Sequence, residues 1–426
     1  MHSSPSRGRL TRLLRPLPGR RLPRELRPRK VGLLARRFAD GLRDPGFRDL
    51  VSRIDGGGLV WAGNRCQLFT EGELATAAML GAIDEAREEV LLESYIFEKD
   101  GTGQAFLDAA AAAARRGLRV RVLADAIGSF TTPSEFWRPL VQAGGEALFF
   151  HRVLPFHWYH MLRDHRKILV LDRRVVFTGG MNIADEYAKF TRRRRPLPEG
   201  VMRDTQVRIE GPGAFDFVPV FEEGWERAGG LPLPPSPPPP NAGEGPRVLV
   251  LDSRPRRGHR ETAAVLAAIV AGARESFWIT NAYFAPGRSL VAILGHAASR
   301  GLDVRLLLPG KTDAPIVRHA GHGWYSRLLD RGVRIFEYQR AVLHAKTVVA
   351  DRHVSVIGSS NLDFRSFRFN AECNAVIFDD GIGGELAQAF ERDMADSREI
   401  EPEVWRRRGS LDRLTDRLAG ILTPLL

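Results

Sequence analysis

The chain is poor in cysteine, in acid and in long apolar runs. Two cysteines in 426 residues, Cys66 and Cys373, exclude a disulfide framework and supply no cysteine-based zinc motif, so both are expected as small buried thiols in a reducing compartment. No stretch approaches the ~18 consecutive apolar residues of a membrane-spanning helix, and Met1 to Lys30 lacks the apolar centre of a signal peptide. The expectation is a chain neither inserted into a bilayer nor exported. Acid is scarce against base: 51 Asp and Glu face 63 Lys and Arg, a net charge of +12. That excess points to a polyanionic partner, nucleic acid or an anionic membrane surface, and composition does not choose between them.

What is present suits a globular protein of two units, with 43% hydrophobic and 27% charged residues. Residues 1–45 form a basic tail rich in arginine (Arg7, Arg9, Arg12, Arg15 among them) and proline, which disfavours a compact fold. It reads as a solvated tail, as an electrostatic tether to acidic lipid at ~1 kcal/mol per basic residue, or, third, as a transit-like segment. Two folded units are expected over 46–230 and 245–400, separated by a stiff proline-rich linker at 231–244, with an amphipathic helix at 401–426.

The two units carry the same motif. His165-Arg166-Lys167, Asp172 and Gly179-Gly180-Met181-Asn182 recur 179 residues later as His344-Ala345-Lys346, Asp351 and Gly358-Ser359-Ser360-Asn361, with no insertion. The apolar runs Ile168–Leu171 and Thr347–Ala350 suit buried strands, and side chains two apart share a face, so each histidine and lysine enter one pocket. Lysine offers fixed charge to a phosphate, and imidazole serves as nucleophile or proton donor near neutral pH. Gly180 and Ser359 let backbone approach a ligand, and Asn182 and Asn361 offer amide donors to phosphate oxygens. Asp172 and Asp351 read as anchors of strand and turn. Ahead of each motif the order also repeats: an apolar strand (Val90–Phe97, Phe277–Phe284), an alanine-rich helix, an Arg-Gly turn and a strand, which implies an α/β sandwich in each half.

This duplicated H-x-K-x4-D-x6-G-[GS]-x-N pattern resembles the phospholipase D superfamily, over about Gly63 to Arg398. The resemblance implies a duplicated α/β sandwich folded as an intrachain pseudo-dimer, with one active site where the motifs meet. It implies a catalytic set of His165, Lys167, Asp172, His344, Lys346 and Asp351, a phosphohistidine on His165 with His344 as acid and base, and no metal or other cofactor. Glu372, in Asn370-Ala371-Glu372, resembles the family's histidine-orienting carboxylate, and Asp204, in Arg203-Asp204-Thr205, is its counterpart in the first half. Within the superfamily, Phe177–Tyr187, Gly358–Phe367 and Tyr283-Phe284-Ala285-Pro286 resemble bacterial cardiolipin synthases. These transfer a phosphatidyl group onto phosphatidylglycerol and release glycerol. A peripheral position on the cytoplasmic face of a bacterial membrane follows, with anionic phospholipid as partner and no nucleic acid. Hydrolysis of phospholipid to phosphatidic acid, and nuclease action, stand as alternatives within the same chemistry.

The remaining signals are peripheral. His157 and His160 precede the first motif, but no cysteine or carboxylate lies at ligand spacing and Lys167 would repel a cation, so no metal centre is read there. Phe149, Phe150 and the Phe156–Tyr159 run read as the apolar mouth of the pocket. Arg192–Arg195 reads as an exposed loop, either idle or in contact with lipid phosphate. After Ser410 a stripe of Leu411, Leu414, Leu418, Ile421 and Leu422 recurs at helical spacing, either packed on the second unit or laid on an anionic bilayer.

Overall fold

The apolar runs that follow the two motif lysines are strands, each in the interior of a sheet. The computed structural model describes residues 33, 36–151, 162–193, 196–241, 243–254, 260–312 and 314–421. The first half contributes β1 (Arg65–Phe69), β2 (Glu89–Ser94), β3 (Arg119–Asp125), β4 (Glu146–Phe150), β5 (Arg163–Asp164), β6 (Lys167–Leu171), β7 (Val175–Gly179), β8 (Met202–Arg203) and β9 (Gln206–Glu210). The second contributes β10 (Arg247–Ser253), β11 (Ser276–Thr280), β12 (Asp303–Pro309), β13 (Arg334–Tyr338), β14 (Val342–Leu343), β15 (Thr347–Ala350), β16 (Val354–Gly358), β17 (Asn370–Phe378) and β18 (Ser397–Glu399). The orders β1-β9-β7-β6-β2-β3-β4 and β10-β17-β16-β15-β11-β12-β13-β18 share a common core of seven strands. In each, two parallel pairs (β2 with β3 and β3 with β4, or β11 with β12 and β12 with β13) adjoin an antiparallel remainder.

Period-2 alternation decides the layers. In β6, Ile168 and Val170 turn to a core shared by both sheets, whereas Leu169 and Leu171 turn to the first half's helices. In β15, Val349 joins the shared core, and Val348 and Ala350 face the second half's helices. The sheets thus pack face to face with helices outside, the duplicated α/β sandwich expected from the sequence. The Arg-Gly turns recur as helix ends: Gly117 and Gly301 adopt φ of 91° and 92°, and Leu118 N and Leu302 N donate back to Ala113 O and Ala297 O.

Short strands are exchanged between the halves. β5 pairs with β17, and β8 pairs with β14, both parallel, so the segment before each motif histidine lies on a strand of the other half. The helix Pro45–Ile54, counted with the first unit in the sequence, packs on the second: Phe47, Leu50, Val51 and Ile54 share a core with Ala264, Ile269 and Phe378. Its apolar face meets helix Arg260–Gly272 rather than the first sheet. Proline-rich 231–241 is stitched down at both ends: Leu233 is buried, and the Asn241 side chain accepts from Ala62 N and donates to Val60 O. No helix among the described residues is long and apolar enough to cross a membrane. The first 32 residues, with their arginines, lie outside the described residues, as do His157, His160 and Phe156–Tyr159.

Candidate active site

Two hairpins and two returning strands build the site. β2 ends at Ser94, earlier than the apolar run suggested, and the released Tyr95 places its ring 4.9 Å from the His165 imidazole, with Lys167 Nζ 5.2 Å from the same ring centre. Tyr187 lies edge-on to His344 at 5.1 Å. Register sets the carboxylates: Gly179 faces Gln206 and Gly358 faces Asn374, so Asp204 and Glu372 stand two residues ahead at equivalent positions.

The carboxylates act crosswise. His165 Nδ1 lies 3.1 Å from Glu372 Oε2 of the second half, and His344 Nδ1 lies 2.6 Å from Asp204 Oδ2 of the first. The backbone repeats the exchange, as His165 N donates to Ala371 O and His344 N donates to Arg203 O. A carboxylate on Nδ1 holds hydrogen on that nitrogen and leaves Nε2 as the reactive atom.

All four motif side chains are buried, and the field between them is positive. Burial lowers the His165 pKa, and Lys167 and Lys346 lower it further against the pull of Glu372. Burial, then Lys346, brings His344 down to about 4, although Asp204 opposes both. Lys167 is lowered to about 7 by burial and by the charge of Lys346. Burial alone would raise Asp204 and Glu372, but Lys346 with His344, and His165 with Lys167, bring the two carboxylates below their ordinary values. Each lysine therefore acts on the other half's imidazole, so the two motifs form one site. Two lysines buried side by side attract an anion and repel a cation.

Other motif positions stand apart from the imidazoles. Asp172 and Asp351 do not join the imidazoles. Each sits at the far end of its strand, in a turn whose first two residues have φ of 50° and 56°, or 49° and 50°. Asp172 accepts from the backbone amides of Arg87, Glu88 and Glu89, and Asp351 from those of Arg274, Glu275 and Ser276. The anchor reading fits this geometry, and a catalytic one does not. Ser359 is likewise not open to phosphate, because its hydroxyl donates to Glu372 Oε2 at 2.6 Å and its oxygen accepts from Cys373 N at 3.0 Å. Gly180 makes room instead, since a Cβ there would stand 2.2 Å from Asp204 Oδ1. Asn182 is committed internally, accepting from Ile96 N and donating to Tyr187 Oη. Asn361 differs, for its buried Oδ1 has no hydrogen-bond partner among the described residues.

Between His165 and Lys167, Arg166 turns to the opposite face. It is fully buried, and its guanidinium donates to Glu223 and, at 2.7 Å, to Asp252 of the second half. Its place in the motif is thus structural. Arg192 is also committed, to Asp393 and Asp396, while Arg193 is exposed and Arg194 and Arg195 lie outside the described residues. Cys373 is buried and Cys66 half-buried, both free, with burial raising the Cys66 thiol to about 12. Sequence reasoning missed the rings of Tyr95 and Tyr187 and the crosswise pairing. Only the early end of β2 and the exchange of β5 and β8 bring these together.

A buried pair of carboxylate-supported histidines, each with its lysine and each supplied by one half of a duplicated sandwich, defines a phosphodiester-transferring enzyme of the phospholipase D kind. Comparison with known proteins agrees. The family described as "Cardiolipin synthase, PLD-like domain" matches residues 79–191 and 266–394. Cardiolipin synthase A of Pseudomonas aeruginosa is 34% identical over 86% of this chain and 74% of its own length, and cardiolipin synthase of Listeria welshimeri is 30% identical over 89% and 79%. The crystal structure of phosphatidylserine synthase from Haemophilus influenzae superposes with a TM-score of 0.67 at 14% identity, covering 88% of this chain and all of that one, which shows the shared fold. The chain belongs to the cardiolipin synthase family of phospholipase D-like phosphatidyltransferases.

Proposed function

We propose that this chain transfers a phosphatidyl group onto the headgroup hydroxyl of phosphatidylglycerol and releases glycerol when phosphatidylglycerol is also the donor. His165 Nε2 attacks phosphorus, the bond to the leaving headgroup oxygen breaks, and His344 Nε2–H protonates that oxygen. His344 then takes the proton of the incoming hydroxyl, whose oxygen attacks phosphorus and frees His165. Lys167 and Lys346 neutralise charge building on the equatorial oxygens, and the Asn361 amide adds a contact. The observation that carries this reading is the crosswise support of His165 by Glu372 and His344 by Asp204 between two buried lysines. His344 starts neutral with its hydrogen on Nδ1, and takes up a proton from solvent at Nε2 as the substrate binds. The phosphodiester charge entering beside Lys346 opposes the lysine's effect and favours the proton that the first step consumes.

The membrane position rests on the last helix. Helix Ser410–Ile421 docks through Asp416 and Ala419, 3% and 8% exposed, while Leu414 and Leu418 are 52% and 56% exposed on the opposite face. An apolar stripe turned outward, next to exposed Arg406 and Arg407, suits the surface of an anionic bilayer, with the enzyme peripheral on the cytoplasmic side of a bacterial membrane.

Incubation of the protein with phosphatidylglycerol vesicles, followed by mass spectrometry beside a His165→Ala control, tests the reaction. Cardiolipin and glycerol, lost in the control, are expected. Phosphatidic acid alone would make the protein a hydrolase, and no lipid product would favour a nuclease.

A further inference from the structure

Away from the phosphodiester site, helix Pro315–Leu329 presents His319 and His322 one turn apart, and the C-terminal helix brings Asp416 against both. His319 Nδ1 lies 2.9 Å and His322 Nδ1 3.5 Å from the same Asp416 Oδ1, and ligand atoms from all three residues fall within 4.8 Å of one another. We propose that His319, His322 and Asp416 form a binding site for a divalent transition metal, with a donor set suited to Zn2+, that clamps the C-terminal helix to the second half.

Two imidazoles and a carboxylate are a zinc donor set. With metal–ligand bonds of ~2.0–2.1 Å, a tetrahedron has edges of about 3.3–3.4 Å, which the 2.9 and 3.5 Å separations bracket. The surroundings complete the pattern. His322 Nε2 lies 3.1 Å from Oε1 of the fully buried Glu337, whose other oxygen accepts from Arg398 at 2.8 Å and Arg318 at 3.3 Å. A carboxylate on the far nitrogen of a ligating histidine fixes the ring so that Nδ1 is the free donor atom. Asp416 Oδ2 is held by Arg408 at 2.9 Å, which leaves Oδ1 facing the imidazoles. His319 has a 39% exposed side chain and opens the site to solvent, giving an entry path and room for a water as fourth ligand. One carboxylate oxygen faces both rings. The ligands join segments almost a hundred residues apart, so a bound metal would fasten the helix that carries Leu414 and Leu418.

Tag-free full-length protein, stripped with chelator, should bind one equivalent of Zn2+ by calorimetry and give the visible spectrum of tetrahedral Co2+ when cobalt replaces zinc. Zinc at hundredfold excess over its Kd should raise Tm by about 3 °C. His319→Ala, at a part-exposed position where the fold is expected to persist, should lose that equivalent and the Tm rise with transferase activity retained, and Asp416→Asn should lose the equivalent as well. Absence of stoichiometric binding by the wild type, or equal binding by His319→Ala, would overturn the site.

Discussion

His344 Nδ1 lies 2.6 Å from Asp204 Oδ2, a carboxylate 140 residues away in the other half of the chain. The tautomer of one half's imidazole is therefore fixed by the other half, and a fault in either half disables both. Asp204→Asn keeps the shape but can present an N–H to Nδ1 and favour the wrong tautomer. Turnover on phosphatidylglycerol should fall roughly 10²- to 10⁴-fold with KM little changed, and steady-state kinetics on vesicles checks this. Turnover within threefold of wild type would refute a tautomer-fixing role.

Ser359 separates two roles. Its hydroxyl donates to Glu372, so Ser359→Ala weakens the support of His165 rather than a phosphate contact. We expect kcat to drop about tenfold, the lower end of what such outer partners are worth, with KM within a factor of two. A rise in KM at constant kcat would return Ser359 to the phosphate.

The turn aspartates should matter to stability and not to chemistry. Asp172→Ala strands the amides of Arg87, Glu88 and Glu89, and Asp351→Ala those of Arg274, Glu275 and Ser276. Each should cost about 1–3 kcal/mol in urea unfolding, while specific activity of the folded fraction stays at the wild-type level.

Stability should rise with pH across the titration of the buried basic groups. His344 is held near 4 in the fold against 6.5 ordinarily, and Lys167 near 7 against 10.5. Between pH 4 and 6.5 the unfolded chain binds the His344 proton and the fold does not, so stability falls as pH drops through that window, by up to about tenfold in the folding constant per pH unit. Lys167 gives the same sign between pH 7 and 10.5. Urea unfolding of wild type and His344→Gln from pH 4 to 7 isolates the histidine, whose replacement should flatten the curve.

Membrane contact through the last helix predicts that Leu414→Ser with Leu418→Ser weakens binding to anionic vesicles by about tenfold or more, since each exposed leucine offers up to ~1.5–3 kcal/mol on burial. Flotation assays measure it. Far-UV circular dichroism should be unchanged, because both leucines are more than half exposed.

The sequence by itself displayed the duplication and the sandwich class and put His165 with Lys167, and His344 with Lys346, on shared faces, because spacing along a strand dictates which side chains share a face; Asp204 and Glu372 were legible only through the resemblance to the phospholipase D superfamily. It also displayed Asp172 and Asp351 in the same pattern, although their repetition serves a turn. Tertiary structure alone decided which carboxylate supports which histidine, for that depends on β5 and β8 crossing to strands of the other half. It turned Ser359 toward Glu372 and placed Tyr95 and Tyr187 against the imidazoles. The C-terminal stripe was legible as a helix face, but its direction was not. Burial of Asp416 beside His319 and His322, contacts made across a distance in sequence that no local periodicity encodes, is what turns Leu414 and Leu418 outward.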